Sequence, residues 1–137
     1  MLHPSASDAL PGHPAHLHVR AGGQMLALAW EVLAEARAAG PLSPIPGSPP
    51  WLVGLTQWKG RLMTVADAGR LFGSGPSGGR WHLALRGLPC ELALAVDELL
   101  GSAGPDERPV LTLDAAYLAT HPAFQRGAAG VLPRESH

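Results

Sequence analysis

Few residues in this chain could do chemistry, and each set reads more simply as structure. Seven histidines invite a metal site. His16 and His18 fall on one face of a strand pattern and His82 on another strand. No Cys, Asp or Glu stands with them at ligand spacing, so they read as solvated strand positions. His3, His13 and His137 lie in apparent tails. Cys90 is the single cysteine. It permits no internal disulfide, and no basic cluster or helix N-terminus is evident to activate it, so it reads as a structural thiol. Asp67 and Asp114 could pair for acid–base work, but each stands between a strand pattern and a short helical one, where a carboxylate caps unpaired N–H groups. "GSGPSGG" (73–79) is Gly-rich without the Lys-Ser/Thr of a phosphate loop, and reads as a flexible joint. Trp58 beside Lys59, at a hairpin tip, has the composition of an interface hot spot, against the plainer reading of a core indole.

The elements that must position these residues are mostly strands. "AHLHVRAGGQMLALAW" alternates Leu17 and Val19 with His16, His18 and Arg20, turns at Gly22-Gly23 and returns through Leu26 and Leu28. "WEVLAEARAAG" has helical composition and a Gly40-Pro41 stop, which predicts a helix over about 30–38. "PLSPIPGSPP" (41–50), with five prolines, is an extended connector. "WLVGLTQW" is apolar on both faces, Lys59-Gly60 makes a turn, "RLMTVA" returns, and "DAGRLF" gives a helix over about 67–72. "WHLALRGLPCELALAV" is the clearest hairpin: Trp81, Leu83 and Leu85 on one face of the first strand, Leu92, Leu94 and Val96 on one face of the second. "VLTLDAAYLAT" is a strand running into a helix at about 114–121. "TVADAGRLF" (64–72) and "LTLDAAYLA" (111–119) align on Asp67/Asp114 and Leu71/Leu118, a weak internal repeat of strand, Asp cap and helix.

Composition bounds the function. The chain has 137 residues, a formal net charge of −1 and 46% apolar residues, which fits one globular domain. Near-zero charge gives no footprint for nucleic acid or anionic lipid, and no apolar run is long enough to insert in a membrane. The N-terminus lacks a signal-peptide pattern, so a cytoplasmic home is the expectation. Residues 1–14 and 122–137 read as flexible tails around a domain at 15–121, divided into a first half at 15–73 and a second half at 80–121.

"PLSPIPGSPPWLVGLTQWKGRLMTVADAGRLFG" resembles the CheW-like family of chemosensory coupling proteins. The family pattern is an "I-x-P-x-P" segment, "G-V-I-N-L-R-G", then an apolar strand and "D-L…L-G". Ile45-Pro46, Pro49-Pro50, Gly54, Gly60, Asp67, Leu71 and Gly73 keep that frame. "ALAVDELLG" (93–101) and "VLTLDAAYLA" resemble the family's later motifs, so the resemblance covers about residues 15–120. It implies an all-β fold with short helices: a pair of SH3-like β-barrels without catalysis, metal or cofactor. It implies two partners, the cytoplasmic domain of methyl-accepting chemoreceptors and a CheA-type histidine kinase. Receptor binding is carried over to Val53, Leu55, Gln57, Trp58, Lys59 and Gly60, around the "N-L-R-G" hairpin. Gln57-Trp58-Lys59-Gly60 departs from that motif, because Lys lacks the planar fork of Arg and Trp enlarges the apolar contact. "SAGPDERP" (102–109) replaces some thirty residues of the second barrel. That implies an incomplete barrel and weakened or no direct kinase contact, as in a shortened accessory coupling protein of the Frz gliding-motility kind, which would act through receptor tips or a full-length paralogue. The alternatives are an ordinary coupling protein that binds both partners and a small metal-binding or enzymatic β protein.

Overall fold

The computed structural model describes residues 16–73, 75–101 and 108–124. It is mostly β, with nine strands in two sheets and two short helices among the described residues. The strands are β1 (His16–Ala21), β2 (Gln24–Ala29), β3 (Leu33–Ala38), β4 (Leu52–Trp58), β5 (Arg61–Asp67), β6 (Trp81–Leu85), β7 (Leu92–Val96), β8 (Glu98–Gly101) and β9 (Leu111–Leu113). The helices are α1 (Ala68–Leu71) and α2 (Ala115–Thr120). The larger sheet runs β3-β6-β7-β5-β4 and the smaller β8-β1-β2-β9. The two sheets therefore do not divide the chain at 73–80. The smaller sheet joins the first hairpin to the last strands, and the larger takes the middle of the chain.

The three hairpins form where the alternation places them: β1–β2, β4–β5 and β6–β7 are antiparallel pairs. Parallel pairing of β5 with β7 and of β9 with β2 then closes the order. The repeat is structural. Asp67 caps α1 by accepting from the Gly69 N–H at 3.0 Å, and Asp114 caps α2 by accepting from the Tyr117 N–H at 2.8 Å.

The expected helix over 30–38 is absent. A 3-10 turn spans Trp30–Val32, and Leu33–Ala38 is strand β3 paired with β6. Composition favours helix here, but the burial alternates along LAEARA with period two, and pairing with β6 decides the conformation. A bulge between Leu33 and Glu35 re-aims the strand: Leu33 stands opposite Leu85, while Glu35 stands opposite Ala84. A second bulge between Leu52 and Gly54 does the same in β4.

These bulges let the strands feed two apolar clusters. The main core lies between the sheets and includes Leu26, Leu28, Leu83, Leu92, Leu94 and Phe124. The smaller cluster is Trp58, Met63, Val65, Ala84, Ala93 and Ala95. It fills the inside of the larger sheet, which curls into a small barrel whose edge strands β3 and β4 meet through side chains. Three of its six members are Ala, which leaves room for one indole.

Three further expectations change. The described residues of the expected flexible joint are tied down, at Ser77 and Gly78. Ser77 donates its N–H to Asp67, Gly78 donates to Asp97, and Asp97 also accepts from Gly22 at 2.8 Å. A side chain on Gly69 would collide with the Gly75 carbonyl. His82 is buried, 1% exposed, and is not a solvated strand position. The packed chain extends past 121: Pro122–Phe124 forms a 3-10 turn that puts Phe124 fully in the core, with Cys90 Sγ 3.7 Å from its carbonyl oxygen. The expected tail at 1–14, most of the expected tail at 122–137 and most of "SAGPDERP" lie outside the described residues.

Candidate interaction surface

The β4–β5 hairpin positions all six residues singled out in the sequence. Trp58 and Arg61 pair across a two-residue turn, Lys59-Gly60, with φ of 51° and 78°. Positive φ at both positions is the primed turn that suits the twist of a tight hairpin. At its other end the hairpin is fixed by Gly54. Ser43 and Leu55 exchange both backbone hydrogen bonds at 2.8 Å, and a Cβ on Gly54 would lie 2.7 Å from the Ser43 carbonyl oxygen. The Pro-rich connector is thus held against β4.

Trp58 is 4% exposed and belongs to the barrel interior. Its indole N–H donates to Glu35 Oε1 at 3.1 Å, and the Arg37 guanidinium carbon sits 4.0 Å from its ring centroid. Arg37 also donates to Thr56 Oγ1 at 2.9 Å. These contacts close the barrel between β3 and β4. Lys59 reaches back to the same Glu35 oxygen at 3.1 Å while remaining 73% exposed. The Trp58 indole first, then Lys59, hold the Glu35 carboxyl below the ordinary range, because both favour its charged form. On the other strand, Arg61 pairs with the largely buried Glu91.

The remaining site residues divide by face. Val53 is half-buried and packs on the inner cluster. Leu55 is half-buried on the outer face, Gln57 is exposed there, and Gly60 is exposed in the turn. Opposite Gln57 lies Leu62, 51% exposed, the largest apolar exposure on the hairpin. The outer face is therefore Leu55, Gln57 and Leu62, rimmed by the cation of Lys59. Its inner end runs under the main core, which covers Leu52 and Ala66. At the barrel mouth a shallow cavity of about 170 Å³ is lined by Glu35, Lys59, Arg61, Arg86 and Glu91 around Met63 and Ala84.

The hairpin thus presents an apolar strip with a charged rim beside a tight two-residue turn. The sequence leaves Trp58 open between a contact residue and a core indole, and the structure buries it; Leu62 is not among the residues the sequence singles out. A signal was present, since Leu62 alternates with Met63 and Val65 on a strand whose inner face needs only the latter pair. Glu35 and Arg37 were also missed, because they lay inside the expected helix.

Among the described residues no three His, Cys, Asp or Glu side chains gather to hold a metal ion, and no helix is long and apolar enough to cross a membrane. The family model for the CheW-like domain matches residues 15–130. Among solved structures, the scaffolding protein TtCheW from Thermoanaerobacter tengcongensis is similar, with a TM-score of 0.57 and 20% identity. The match covers 67% of this chain and 65% of that protein, so the chain spans just under two thirds of the scaffold's length. At that identity the likeness concerns the fold. No curated protein sequence matches at a significant level. With the two-sheet fold in place and the family match running through all the described residues, the chain belongs to the CheW-like family of chemosensory scaffold proteins.

Proposed function

We propose that this chain is a non-catalytic adaptor of a cytoplasmic chemosensory array. It docks the cytoplasmic tip of a methyl-accepting chemoreceptor on the outer face of the β4–β5 hairpin. The observation that carries this reading is the exposure of Leu62 beside Leu55, Gln57 and Lys59 on a hairpin fixed at both ends. An amphipathic receptor helix would lay its apolar stripe on Leu62 and Leu55 and set an acidic residue at Lys59. Trp58 supports the strip from behind and is not itself the contact. Titration of a receptor-tip fragment into the protein tests the reading. Leu62→Glu is expected to weaken binding by at least about tenfold while the fold is kept.

We further propose weak or absent direct contact with a CheA-type kinase. The smaller sheet ends on β8 and β9, of four and three residues, among the described strands. Stable specific interfaces bury roughly 1,200–2,000 Å² in total, and such short edges offer little of it. The adaptor would then act through receptor tips or through a full-length paralogue. Titration into the isolated kinase regulatory domain decides this: a dissociation constant in the low micromolar range or tighter restores the ordinary coupling protein that binds both partners.

A further inference from the structure

The inside of the larger barrel holds a polar group that the docking face does not use. His82 lies in β6, 1% exposed. It stands opposite Arg37 of β3 and opposite Ala95 of β7. Ala95, and Ala84 two residues along β6, both belong to the inner cluster, so the imidazole points into the barrel. Neither ring nitrogen meets a hydrogen-bond partner among the described residues, and neither does Arg37 Nε. The rest of the guanidinium is committed to Thr56 and to the face of Trp58.

The charges around His82 can be taken strand by strand. On β3, Arg37 is directly opposite, and Glu35 is two residues away with its Oε1 shared by Trp58 and Lys59. On β4, the inward groups Thr56 and Trp58 are neutral. On β5, Asp67 pairs in register with Ala95, and its carboxylate accepts from Gly69 and Ser77 and lies 3.7 Å from Arg70. Just before β7, Glu91 is at the barrel mouth with Arg61, and just after it Asp97 accepts from Gly22 and Gly78. Each of these carboxylates is engaged elsewhere, and the charge that acts on His82 is the Arg37 cation. Burial first, then Arg37, holds the imidazole below the ordinary histidine range. A lowered folded-state pKa means that the packing of neutral His82 contributes fully above the ordinary value of about 6.5, and is lost as pH falls through the folded-state value.

We propose that His82 is the proton-sensitive part of a latch on the β3–β4 seam: a proton taken up by the imidazole drives the Arg37 guanidinium off Trp58 and Thr56 and frees the β4–β5 hairpin from β3. The latch stands on the barrel interior alone. Its consequence, weaker docking in mild acid, rests on the receptor reading proposed above.

The test is an NMR titration of the intact protein from about pH 8 to about pH 5, following the His82 ring protons and the Trp58 indole N–H in the same samples. The expected result is a shift of the Trp58 indole signal, and at least about tenfold faster exchange of its proton, at the same midpoint as His82 while the β-sheet circular dichroism is unchanged. The proposal is overturned if His82 titrates without a response at Trp58, or if Trp58 responds only when the whole fold is lost. Because His82→Gln can disturb the packing, Arg37→Met is the second arm. It removes the neighbouring cation, so the His82 midpoint should rise, and an unmoved midpoint overturns the latch. Receptor-tip binding measured across the same pH range separates the two proposals. A latch that opens while binding stays constant upholds the latch and counts against docking on this hairpin.

Discussion

Replacing Trp58 with Ala removes the largest side chain from a cluster otherwise made of Met63, Val65 and three alanines. The alanines are short and sit on paired strands, so the barrel cannot collapse into the space. Truncating a buried Trp or Phe to Ala costs about 3–5 kcal/mol. The indole also leaves two partners behind, Glu35 Oε1 and the Arg37 guanidinium. Losing them adds about 1–2 kcal/mol, part of which Glu35 and Arg37 can recover by approaching each other. The net is about 4 kcal/mol, a large share of the roughly 5–15 kcal/mol that holds a domain folded. At about 2–8 °C per kcal/mol the midpoint of thermal unfolding should fall by about 8–32 °C. Trp58→Phe keeps ring volume against the alanines and loses the N–H bond, so it should cost about 1–3 kcal/mol. Thermal and urea unfolding by circular dichroism read both variants. A Trp58→Ala protein within about 1 kcal/mol of the parent would show that the indole does not fill the barrel, and would return it to the surface as a contact residue.

Other substitutions separate the hairpin's parts. Leu62→Glu should leave stability within about 0.5 kcal/mol, since the side chain is half exposed, and its effect should appear only in partner titrations. Gly54→Ala should cost more than about 1 kcal/mol in urea unfolding, because its φ of 151° and the Ser43 carbonyl both resist a Cβ. Burial lowers the pKa of His121, so its share of stability is present above about pH 6.5 and lost as pH falls; His121→Phe should flatten that part of the pH–melting profile. The Glu35 carboxyl is likewise held low, so its pairing is present above the ordinary carboxylate value and lost in stronger acid. Glu35→Gln should remove the acid-side response of the Trp58 indole signal there.

What could be read from the sequence was what alternation and capping encode. Leu17 and Val19 against His16 and His18, or Leu92 and Leu94 against Ala93 and Ala95, give strands because one parity must be buried. Asp67 and Asp114 stand where a strand hands over to a helix, and both do cap. The misreading at 30–38 came from weighing Ala, Glu and Arg as helix formers, when the strand identity of LAEARA depends on β6, fifty residues away. A separation of 23 residues likewise hid Glu35, which receives the Trp58 indole. Nothing near Trp58 in the chain tells that Glu35 and Arg37 will receive it, so a Trp-Lys pair at a turn looked like a contact patch. His82 was assigned to solvent because a strand with one polar parity reads as half exposed. Closing the sheet into a barrel buries both parities, and single-strand periodicity does not carry closure. The strand β8 follows Asp97 with no turn signature, since the chain bends there around a carboxylate that holds Gly22 and Gly78.

The adaptor role proposed for this chain depends on a receptor helix docking on the outer face of the β4–β5 hairpin. Isothermal titration of a receptor-tip fragment into the parent protein and into Leu62→Glu, with matched thermal unfolding curves, tests it most directly. The expected result is saturable binding to the parent, weakened at least about tenfold in the variant, with unchanged unfolding midpoints. Equal affinity for both proteins, or no binding to a correctly folded parent, would contradict it.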